Sequence, residues 1–480
     1  MFSRLALVAA LLLPLTSPVP PAPAPAPVVP LLSVRRVAPW VESTIAAQRL
    51  AAALAPIVGT TLDGGGGVNG CVEVVQRGAT LYQRHAEEEL LPASNMKLLT
   101  ATAALDVLKP DHRFTTAARA TARPSGGVLR GNLYLVGGGD PYLMTRAYNT
   151  QFILPEPTFT SLDQLAADVR AAGISTIVGA VVGDGSRYDS ALSVPSWLPI
   201  YRSEGDVGPL SALEVNDGTP PQAPPAKPQN PPTKPLQTTP VKPPPPPPAN
   251  PTLFAATTFT TALRAAGVTV TGSPTSGTAP ASAAPVASIQ SAPLGEQIGQ
   301  MLRVSDDTAA ELLVKELGYV TAQSGSTQAG EAVIRSDLAA DGLPVGQFTG
   351  MDGSGLDRGD RATCSLLIAA LERAGTSGPL AAGLPVAHQT GTLTWRLAGT
   401  PAVGRLHGKT GSLADVSALS GYVTATAGVP TSGLAEPVYF SIIINGMPSG
   451  VSVGLVDRIA ATIAAYPSVV PMAQLEPRAS

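Results

Sequence analysis

Apolar and polar positions follow two different periods along the chain. Over residues 41–54 the apolar positions recur with a helical period and predict an amphipathic helix. Residues 70–85, GCVEVVQRGATLYQRH, instead alternate on both sides of Arg77-Gly78, which predicts a β-hairpin with its turn there. Residues 96–108 are again strongly helical. The pattern therefore predicts a helix, a hairpin and a second helix in the first part of the chain.

Between about residues 113 and 284 the pattern changes to short strands and glycine-rich turns, most clearly in NLYLVGGGDP and IVGAVVGDGSRYD. Two fragments, VRAAGISTIVG at 169–179 and LRAAGVTVTG at 263–272, resemble each other. Each predicts a helix that ends at a glycine cap and is followed by a strand. The pair predicts a mixed α/β insertion with two lobes. Residues 219–251, which lie between them, are so rich in proline that we expect an exposed or disordered loop.

From about residue 285 the chain is helix-rich and then ends in strands. GYVTATAG and VYFSIIINGM predict adjacent antiparallel strands, and VDRIAATIAAY predicts a closing helix. This order predicts an α+β domain that is built from both chain ends, residues 40–112 and 285–476, with residues 113–284 inserted between them.

The N-terminus has the pattern of an exported protein. One arginine precedes an apolar run over residues 5–15, which fits a signal-peptide core and is short for a bilayer span, although a membrane anchor or a buried helix would show a similar run. We assign residues 1–20 to a signal peptide and 21–39 to an extended proline-rich tether. The protein is therefore expected outside the cytoplasm, in the cell envelope or secreted.

Composition narrows the function classes. The 480 residues carry a net charge of −3, so the chain lacks the basic character of nucleic-acid-binding proteins. Its 49 prolines are clustered, which indicates globular segments joined by stiff linkers. Cys71 and Cys364 either pair as a disulfide or remain buried thiols. The four histidines lack metal-ligand spacing and no nucleotide-binding loop is present, so we expect no metal and no cofactor.

Two motifs place hydroxyl groups at predicted helix starts. In ASNMKLL, Ser94 and Lys97 lie three residues apart, so that a neutral lysine can take the proton of the serine and create a nucleophile. Such a match alone is weak evidence, since it occurs often by chance. In RVSDDTAAE, Ser305 predicts a helix N-cap, and the two acidic residues after it suit the helix dipole without any function.

A third motif, GKTGSL at 408–413, lies on the first of the terminal strands. Lys409 and Thr410 offer a cation and a hydroxyl to a substrate carboxylate, and Gly411 allows another backbone to lie close against the strand. Residues 388–393, HQTGTL, repeat the pattern without the lysine. Only the copy at 408–413 therefore offers the cation.

The three motifs occur in the order Ser-x-x-Lys, Ser-Asp-Asp and Lys-Thr-Gly, close to the motif set of penicillin-binding proteins and serine β-lactamases. Over residues 40–475 the chain resembles the D-alanyl-D-alanine carboxypeptidase/endopeptidases of the low-molecular-mass class C penicillin-binding proteins, in LLPASNMKLLTATAAL, LYLVGGGDPYL, VVGDGSRYD, GPLSALEVNDG, MDGSGLDRGDRAT and GKTGSL. The long insertion separates this family from the β-lactamases. The resemblance implies a penicillin-binding-protein/β-lactamase-like transpeptidase domain, an antiparallel sheet flanked by helices.

The resemblance also implies a role for each motif residue. Ser94 would be acylated by the penultimate D-alanine carbonyl of a peptidoglycan stem peptide or by a β-lactam. Lys97 would act as the base, and Ser305 would relay a proton to the leaving amine and back from the deacylating water. Lys409 and Thr410 would hold the carboxylate of the peptide or of the β-lactam.

Further positions would complete the substrate site. The backbone N–H groups of Ser94 and Ser412 would form the oxyanion hole. Asp184 in the insertion and Arg358 in the DGSGL segment resemble the family's ligands for the diaminopimelate side chain, although a turn aspartate and a solvated arginine would be just as ordinary there. The implied partners are the peptidoglycan stem peptide and β-lactams, without nucleic acid, and the sequence indicates no particular oligomeric state.

The chain departs from the family at Asp307, where the family has asparagine. An amide accepts a hydrogen bond from the lysine and donates one to the substrate, whereas a carboxylate only accepts and would hold Lys97 as a cation. A protonated Asp307 would restore one donor and favour activity at mildly acidic pH. The sequence predicts an exported serine DD-peptidase. The alternatives are a catalytically weakened penicillin-binding pseudoenzyme and a serine β-lactamase, which the insertion disfavours.

Overall fold

The structure is a computed structural model that describes residues 34–59, 61–63, 65–149, 158–220, 247–425 and 436–467, with side chains from residue 44 onward. The predicted signal peptide and most of the proline-rich loop lie outside these residues. Residues 34–39, which the sequence assigns to the tether, are instead helical, because the helix predicted from residue 41 extends about two turns further toward the N-terminus. Within the described ranges, no helix has both the length and the apolar character that a membrane span requires.

The elements alternate between helix-rich and strand-rich segments. The helices are α1 (Val34–Val58), α2 (Met96–Val107), α3 (Arg146–Asn149), α4 (Leu162–Ala171), α5 (Pro199–Glu204), α6 (Pro251–Ala265), α7 (Leu294–Val304), α8 (Asp307–Ala322), α9 (Thr327–Ala340), α10 (Cys364–Ala374), α11 (Pro379–Gly383) and α12 (Ser449–Ala464). The strands are β1 (Asn69–Gln76), β2 (Ala79–Arg84), β3 (Thr115–Ala120), β4 (Val128–Arg130), β5 (Leu133–Val136), β6 (Leu143–Met144), β7 (Thr160–Ser161), β8 (Thr176–Val178), β9 (Val181–Asp184), β10 (Thr269–Val270), β11 (Thr275–Ser276), β12 (Ala284–Gln290), β13 (Leu406–Leu413), β14 (Val416–Val423) and β15 (Val438–Asn445).

Both chain ends build one antiparallel sheet, as the hairpin and the terminal strands predict. Its order is β13-β14-β15-β1-β2, so the strand that carries the Lys-Thr-Gly motif forms one edge and the predicted hairpin forms the other. Side chains alternate between two hydrophobic clusters: Val72 and Val74 pack with α1 and α12, whereas Cys71 and Val75 pack with the helices on the opposite face. The sheet is therefore covered on both faces.

The two cysteines form a disulfide, which decides between the two alternatives that the sequence left open. Cys71 in β1 bonds to Cys364, the first residue of α10, with their Cα atoms 6.1 Å apart. The bond spans 293 positions and closes a loop that contains the whole insertion. It therefore ties the two parts of the peptidase domain together.

The insertion extends further than the sequence predicts. Strands β3 and β12 pair antiparallel through Gln290, in a five-stranded sheet of order β11-β9-β5-β3-β12, so the insertion ends about six residues beyond residue 284. The two similar helix–strand units do form, and their strands β8 and β10 pair in parallel. Helices α4 and α6 contribute to a single hydrophobic cluster. The two units thus share one hydrophobic core, whereas the sequence predicted two lobes.

The segment after β9 docks the insertion onto α8. Arg187 makes a bidentate ion pair with Glu316, at 2.8 and 2.7 Å, and Asp189 accepts from Lys315 Nζ at 2.6 Å. Both Glu316 and Lys315 are fully buried, and their partners come from the insertion. The insertion therefore neutralises charges inside the helix that begins at Asp307.

Candidate active site

Ser94 lies in a single 3-10 turn, Ala93–Asn95, directly before α2. Ala93 has a φ of 47°, which is unfavourable for a residue with a side chain. The turn is held by Asn445 at the end of β15, whose amide accepts from Leu91 N at 2.9 Å and donates to Leu91 O at 3.0 Å. The central strands thus fix the position of the serine.

Lys97 is fully buried one turn beyond Ser94. Its Nζ donates to Ser94 Oγ at 3.0 Å, which is the contact that the three-residue spacing predicts. The same Nζ donates to Asp307 Oδ1 at 2.5 Å and to Ser354 O at 2.7 Å. The amine therefore has three acceptors, one of which is a carboxylate.

In the SDD segment, the residue that caps the following helix is not the one that the sequence predicts. Ser305 does not cap α8; it has a φ of 63° and ends α7 in the left-handed conformation. Asp306 is the N-cap instead, since its side chain accepts from Ala309 N at 2.9 Å. This frees the Ser305 hydroxyl, which accepts a hydrogen bond from Lys409 Nζ at 2.7 Å.

Lys409 points from the edge strand β13 into the site and is fully buried. Its Nζ donates to Ser305 Oγ and to Thr410 O, each at 2.7 Å. Burial, reinforced by the charge of Lys97, lowers the pKa of Lys409 well below its ordinary value, and Asp307 partly opposes the shift. A substrate carboxylate would therefore meet an amine whose hydrogen bonds go to a hydroxyl and a main-chain carbonyl.

Gly411 and Ser412 follow on the same strand. A Cβ at Gly411 would lie 2.8 Å from Pro92 O, so the glycine lets β13 pack against the turn that carries Ser94, as the sequence predicts. Ser412 is exposed on the next position, beside this contact. The oxyanion hole expected from the N–H groups of Ser94 and Ser412 stays a prediction.

The HQTGTL segment is not remote from the site. Thr392 accepts a hydrogen bond from Thr410 Oγ1 at 2.7 Å, so the copy without a lysine lies beside the copy with one. The sequence showed only the similarity of the two segments. Their contact depends on how the segment folds back against β13.

Two buried carboxylates outside the Ser-x-x-Lys, Ser-Asp-Asp and Lys-Thr-Gly motifs support the lysine. Glu311 accepts from Gly353 N at 3.0 Å and from Ser354 N at 2.7 Å, which fixes the loop whose carbonyl binds Lys97. Asp352 accepts from Trp197 Nε1 at 2.6 Å, so the insertion also holds this loop. One signal for Glu311 was available, because it lies four residues after Asp307 and hence on the same face of α8.

A second pair of carboxylates lies behind the SDD segment. Burial, together with the charge of Asp217, raises the pKa of Asp306 to about 7. Burial also raises the pKa of Asp217, against hydrogen bonds from Thr308 and Tyr148. The α8 N-cap is therefore a carboxyl group that holds its proton to near-neutral pH.

The two expected ligands of the stem-peptide side chain differ in their surroundings. The Asp184 carboxylate is buried and accepts from Ser186 N at 2.8 Å and from Ala279 N at 2.7 Å, within turns of the insertion. These bonds fix the carboxylate within the insertion, and its contact with substrate stays a prediction. Arg358 is 44% exposed and pairs with Asp415 at 2.8 and 2.9 Å.

Comparison with known proteins places this arrangement in a family. The model described as the D-Ala-D-Ala carboxypeptidase 3 (S13) family matches residues 54–240 and 248–464. The chain is 33% identical over 464 residues to the D-alanyl-D-alanine carboxypeptidase of Actinomadura sp., covering 84% of this chain and 82% of that protein. It is 30% identical over 422 residues to carboxypeptidase DacB of Mycolicibacterium smegmatis, covering 85% and 82%.

A solved structure agrees with the fold. Penicillin-binding protein 4 (dacB) from Haemophilus influenzae aligns with a TM-score of 0.65 and 21% identity, over 85% of this chain and 97% of that chain. The two proteins therefore share the fold, although only 21% of their aligned residues are identical. Since the family model and both relatives extend over most of the sequence, the chain belongs to the D-Ala-D-Ala carboxypeptidase 3 (S13) family.

Proposed function

We propose that the protein is a serine DD-peptidase that cleaves the D-Ala-D-Ala terminus of peptidoglycan stem peptides through an acyl-enzyme on Ser94, and that β-lactams acylate the same serine. The observation that carries the proposal is the meeting of three distant motifs: Lys97 Nζ lies 3.0 Å from Ser94 Oγ, and Lys409 Nζ lies 2.7 Å from Ser305 Oγ. Membership of the family supports the reaction class.

The first half of the reaction forms the acyl-enzyme. Lys97 takes the proton of Ser94, and Ser94 Oγ then bonds to the carbonyl carbon of the penultimate D-alanine. The amide C–N bond breaks, and the leaving D-alanine receives a proton through Ser305. In the second half, a water molecule gives a proton to Lys97 through Ser305 and adds to the acyl carbon. The ester C–O bond then breaks, which releases the shortened peptide, and Ser94 Oγ takes the proton back from Lys97.

Two groups of residues stabilise negative charge on the substrate. Lys409 and Thr410 bind the terminal carboxylate, while the N–H groups of Ser94 and Ser412 stabilise the oxyanion, a contribution of about 3 kcal/mol for one such donor in other enzymes. Arg358, which is exposed, binds a carboxylate on the stem-peptide side chain in exchange for its pairing with Asp415.

A second candidate function rests on Asp307. Its carboxylate accepts from Lys97 Nζ at 2.5 Å and, unlike the amide of the family, cannot also donate a hydrogen bond to the substrate. This observation favours the penicillin-binding pseudoenzyme, which keeps the pocket but turns over slowly. The β-lactamase alternative has no such support, since the long insertion is present between β3 and β12.

Labelling with a fluorescent penicillin tests both candidates. Wild-type protein should be labelled, Ser94→Ala should not, and Ser203→Ala, which changes an exposed serine of the insertion, should match wild type. Labelling that persists in Ser94→Ala would exclude the assigned nucleophile. Asp307→Asn is expected to label at least as fast as wild type; labelling that appears only in Asp307→Asn would favour the pseudoenzyme.

Product analysis then separates the activities. Release of D-alanine from a pentapeptide identifies a carboxypeptidase, and cleavage of a cross-linked peptide dimer identifies an endopeptidase.

We also propose that the protein acts outside the cytoplasm, where its substrate lies. The Cys71–Cys364 disulfide supports this, because such bonds persist mainly in oxidising compartments.

A further inference from the structure

The turn formed by residues 388–394 is fixed to the strand that carries the Lys-Thr-Gly motif. Ala387 N donates to Leu406 O and Gly408 N donates to Pro385 O, each at 2.9 Å, so the segment before the turn runs along β13. Val386 N, in this segment, also donates to Thr390 Oγ1 in the turn at 2.9 Å. The turn is therefore held in register with the strand by main-chain hydrogen bonds.

The other side of the turn packs against the end of α7. Gly391 has a φ of 58°, and a Cβ at this position would lie 2.3 Å from Arg303 O, two residues before Ser305. Only glycine fits this contact without displacement of one of the two backbones. The turn is thus wedged between the strand that carries Lys409 and the segment that carries Ser305.

Thr392 is exposed at the tip of this turn. Its Oγ1 accepts from Thr410 Oγ1 at 2.7 Å, which does not use the proton of the Thr392 hydroxyl. Among the described residues, that hydroxyl makes no other hydrogen bond. Two hydroxyl groups, one with a free proton, therefore lie side by side, and one of them belongs to the residue that follows Lys409 on β13.

We propose that Thr392 is a second hydroxyl of the carboxylate subsite, which donates a hydrogen bond to the terminal carboxylate of the substrate beside Thr410 and Lys409. Because the single proton of the Thr410 hydroxyl is donated to Thr392 Oγ1, the Thr392 hydroxyl donates its own proton to one carboxylate oxygen, and Thr410 donates to the other oxygen only when its proton turns away from Thr392. Because the turn is fixed on both sides, little ordering is required when the ligand binds. The inference rests on the proposed function, since it assigns a residue to the same site.

The test compares two ligands that differ only in the carboxylate. We suggest measuring the second-order rate constant for acylation of Ser94 by benzylpenicillin and by its methyl ester, in wild type, Thr392→Val and Thr392→Ser. Thr257→Val, which changes an exposed threonine of α6 far from β13 in sequence, is the matched control. Thermal unfolding verifies that each variant is folded.

Loss of a hydrogen bond to a charged group predicts that Thr392→Val slows the reaction with benzylpenicillin by about tenfold or more. The reaction with the methyl ester should change by about fivefold or less, because a neutral ester forms only an ordinary hydrogen bond. Thr392→Ser should retain most of the wild-type rate. Equal slowing with both ligands would show that Thr392 only shapes the turn, and an unchanged rate with benzylpenicillin would show that it contributes nothing; either result overturns the proposal.

A binding measurement separates this inference from the proposed function. If wild type is acylated by neither ligand, the proposed acyl-enzyme on Ser94 fails, but the carboxylate subsite can still be tested. The affinity of Ser94→Ala for the dipeptide D-alanyl-D-alanine should then fall by about tenfold when Thr392→Val is added. Equal affinities of the two proteins would overturn the role of Thr392.

Discussion

Asp306, the N-cap of α8, allows a prediction that separates the effect of its charge on stability from the effect of its hydrogen bond to the helix. Asp306 accepts from Ala309 N at 2.9 Å and lies beside Asp217. Burial, and then the charge of Asp217, raises the pKa of Asp306 from 3.8 to about 7. Asp306→Asn keeps a cap acceptor of equal quality but removes the ionisation.

The sign follows from the protons bound in each state. Between the unfolded pKa of 3.8 and the folded pKa of about 7, the native protein binds more protons at Asp306 than the unfolded chain, so wild-type stability falls as pH rises through this interval. A shift of about three units corresponds to about 4 kcal/mol. The side chain is only partly buried, so we expect about half of this, about 2 kcal/mol, as the gain in unfolding free energy for Asp306→Asn at pH 8.

Urea unfolding followed by tryptophan fluorescence at pH 4 and pH 8 measures the effect. Asp306→Asn should be more stable than wild type at pH 8 and nearly equal to it at pH 4. Asp306→Ala, which also lacks the charge, should be about 1 kcal/mol less stable than Asp306→Asn at both pH values because it lacks the cap acceptor. Asp111→Asn, which changes an exposed aspartate, should show no pH-dependent difference. A gain for Asp306→Asn that is the same at both pH values would refute the reasoning from burial.

Three further predictions concern the scaffold and the site. Cys71→Ala with Cys364→Ala should lower the unfolding free energy by up to about 5 kcal/mol, because the disulfide closes a long loop; an unchanged midpoint in urea would contradict this. Gly411→Ala would place a methyl group 2.8 Å from a carbonyl oxygen of the nucleophile turn and should slow penicillin acylation by at least about tenfold. Gly450→Ala, in open space, is its control, and equal rates for the two would exclude the packing role. The lowered pKa of Lys409 predicts that kcat/KM for carboxylate substrates falls as pH rises through a midpoint well below 10.5, whereas a profile that stays flat to pH 10 would exclude it.

The sequence predicted those parts of the molecule in which a local period or a short spacing decides the structure. The hairpin turns at Arg77-Gly78, the terminal strands pair antiparallel, and the amine of Lys97 reaches Ser94. In each case the contact lies within a few residues or between neighbouring strands. The same reasoning did not show which residue of the SDD segment caps α8, because serine and aspartate are both good N-cap residues. The left-handed conformation of Ser305 at the end of α7 makes Asp306 the cap and leaves the Ser305 hydroxyl for the proposed proton relay.

The contacts that the sequence did not reveal depend on the register between distant segments. The contact between Thr410 and Thr392 requires residues 385–387 to lie along β13 in one register, and in an extended segment a shift of one residue turns each side chain to the opposite face. For the same reason, similarity of HQTGTL to GKTGSL did not indicate that the two lie side by side. Asp184 shows the converse: its motif matches, but the hydrogen bonds to its carboxylate come from residues of its own insertion.

The insertion has its own hydrophobic core, but it also helps to hold the active site in place. Lys315 and Glu316 are fully buried in α8, and their ion-pair partners Asp189 and Arg187 belong to the insertion. Arg187 and Asp189 are partly exposed, so removing either should cost less than the ~3–5 kcal/mol that is typical of a fully buried ion pair. Two such pairs lie on the helix that presents Asp307 to the amine of Lys97. The geometry at the catalytic lysine therefore depends on the docking of the insertion, and a peptidase domain without it would leave α8 with two uncompensated charges.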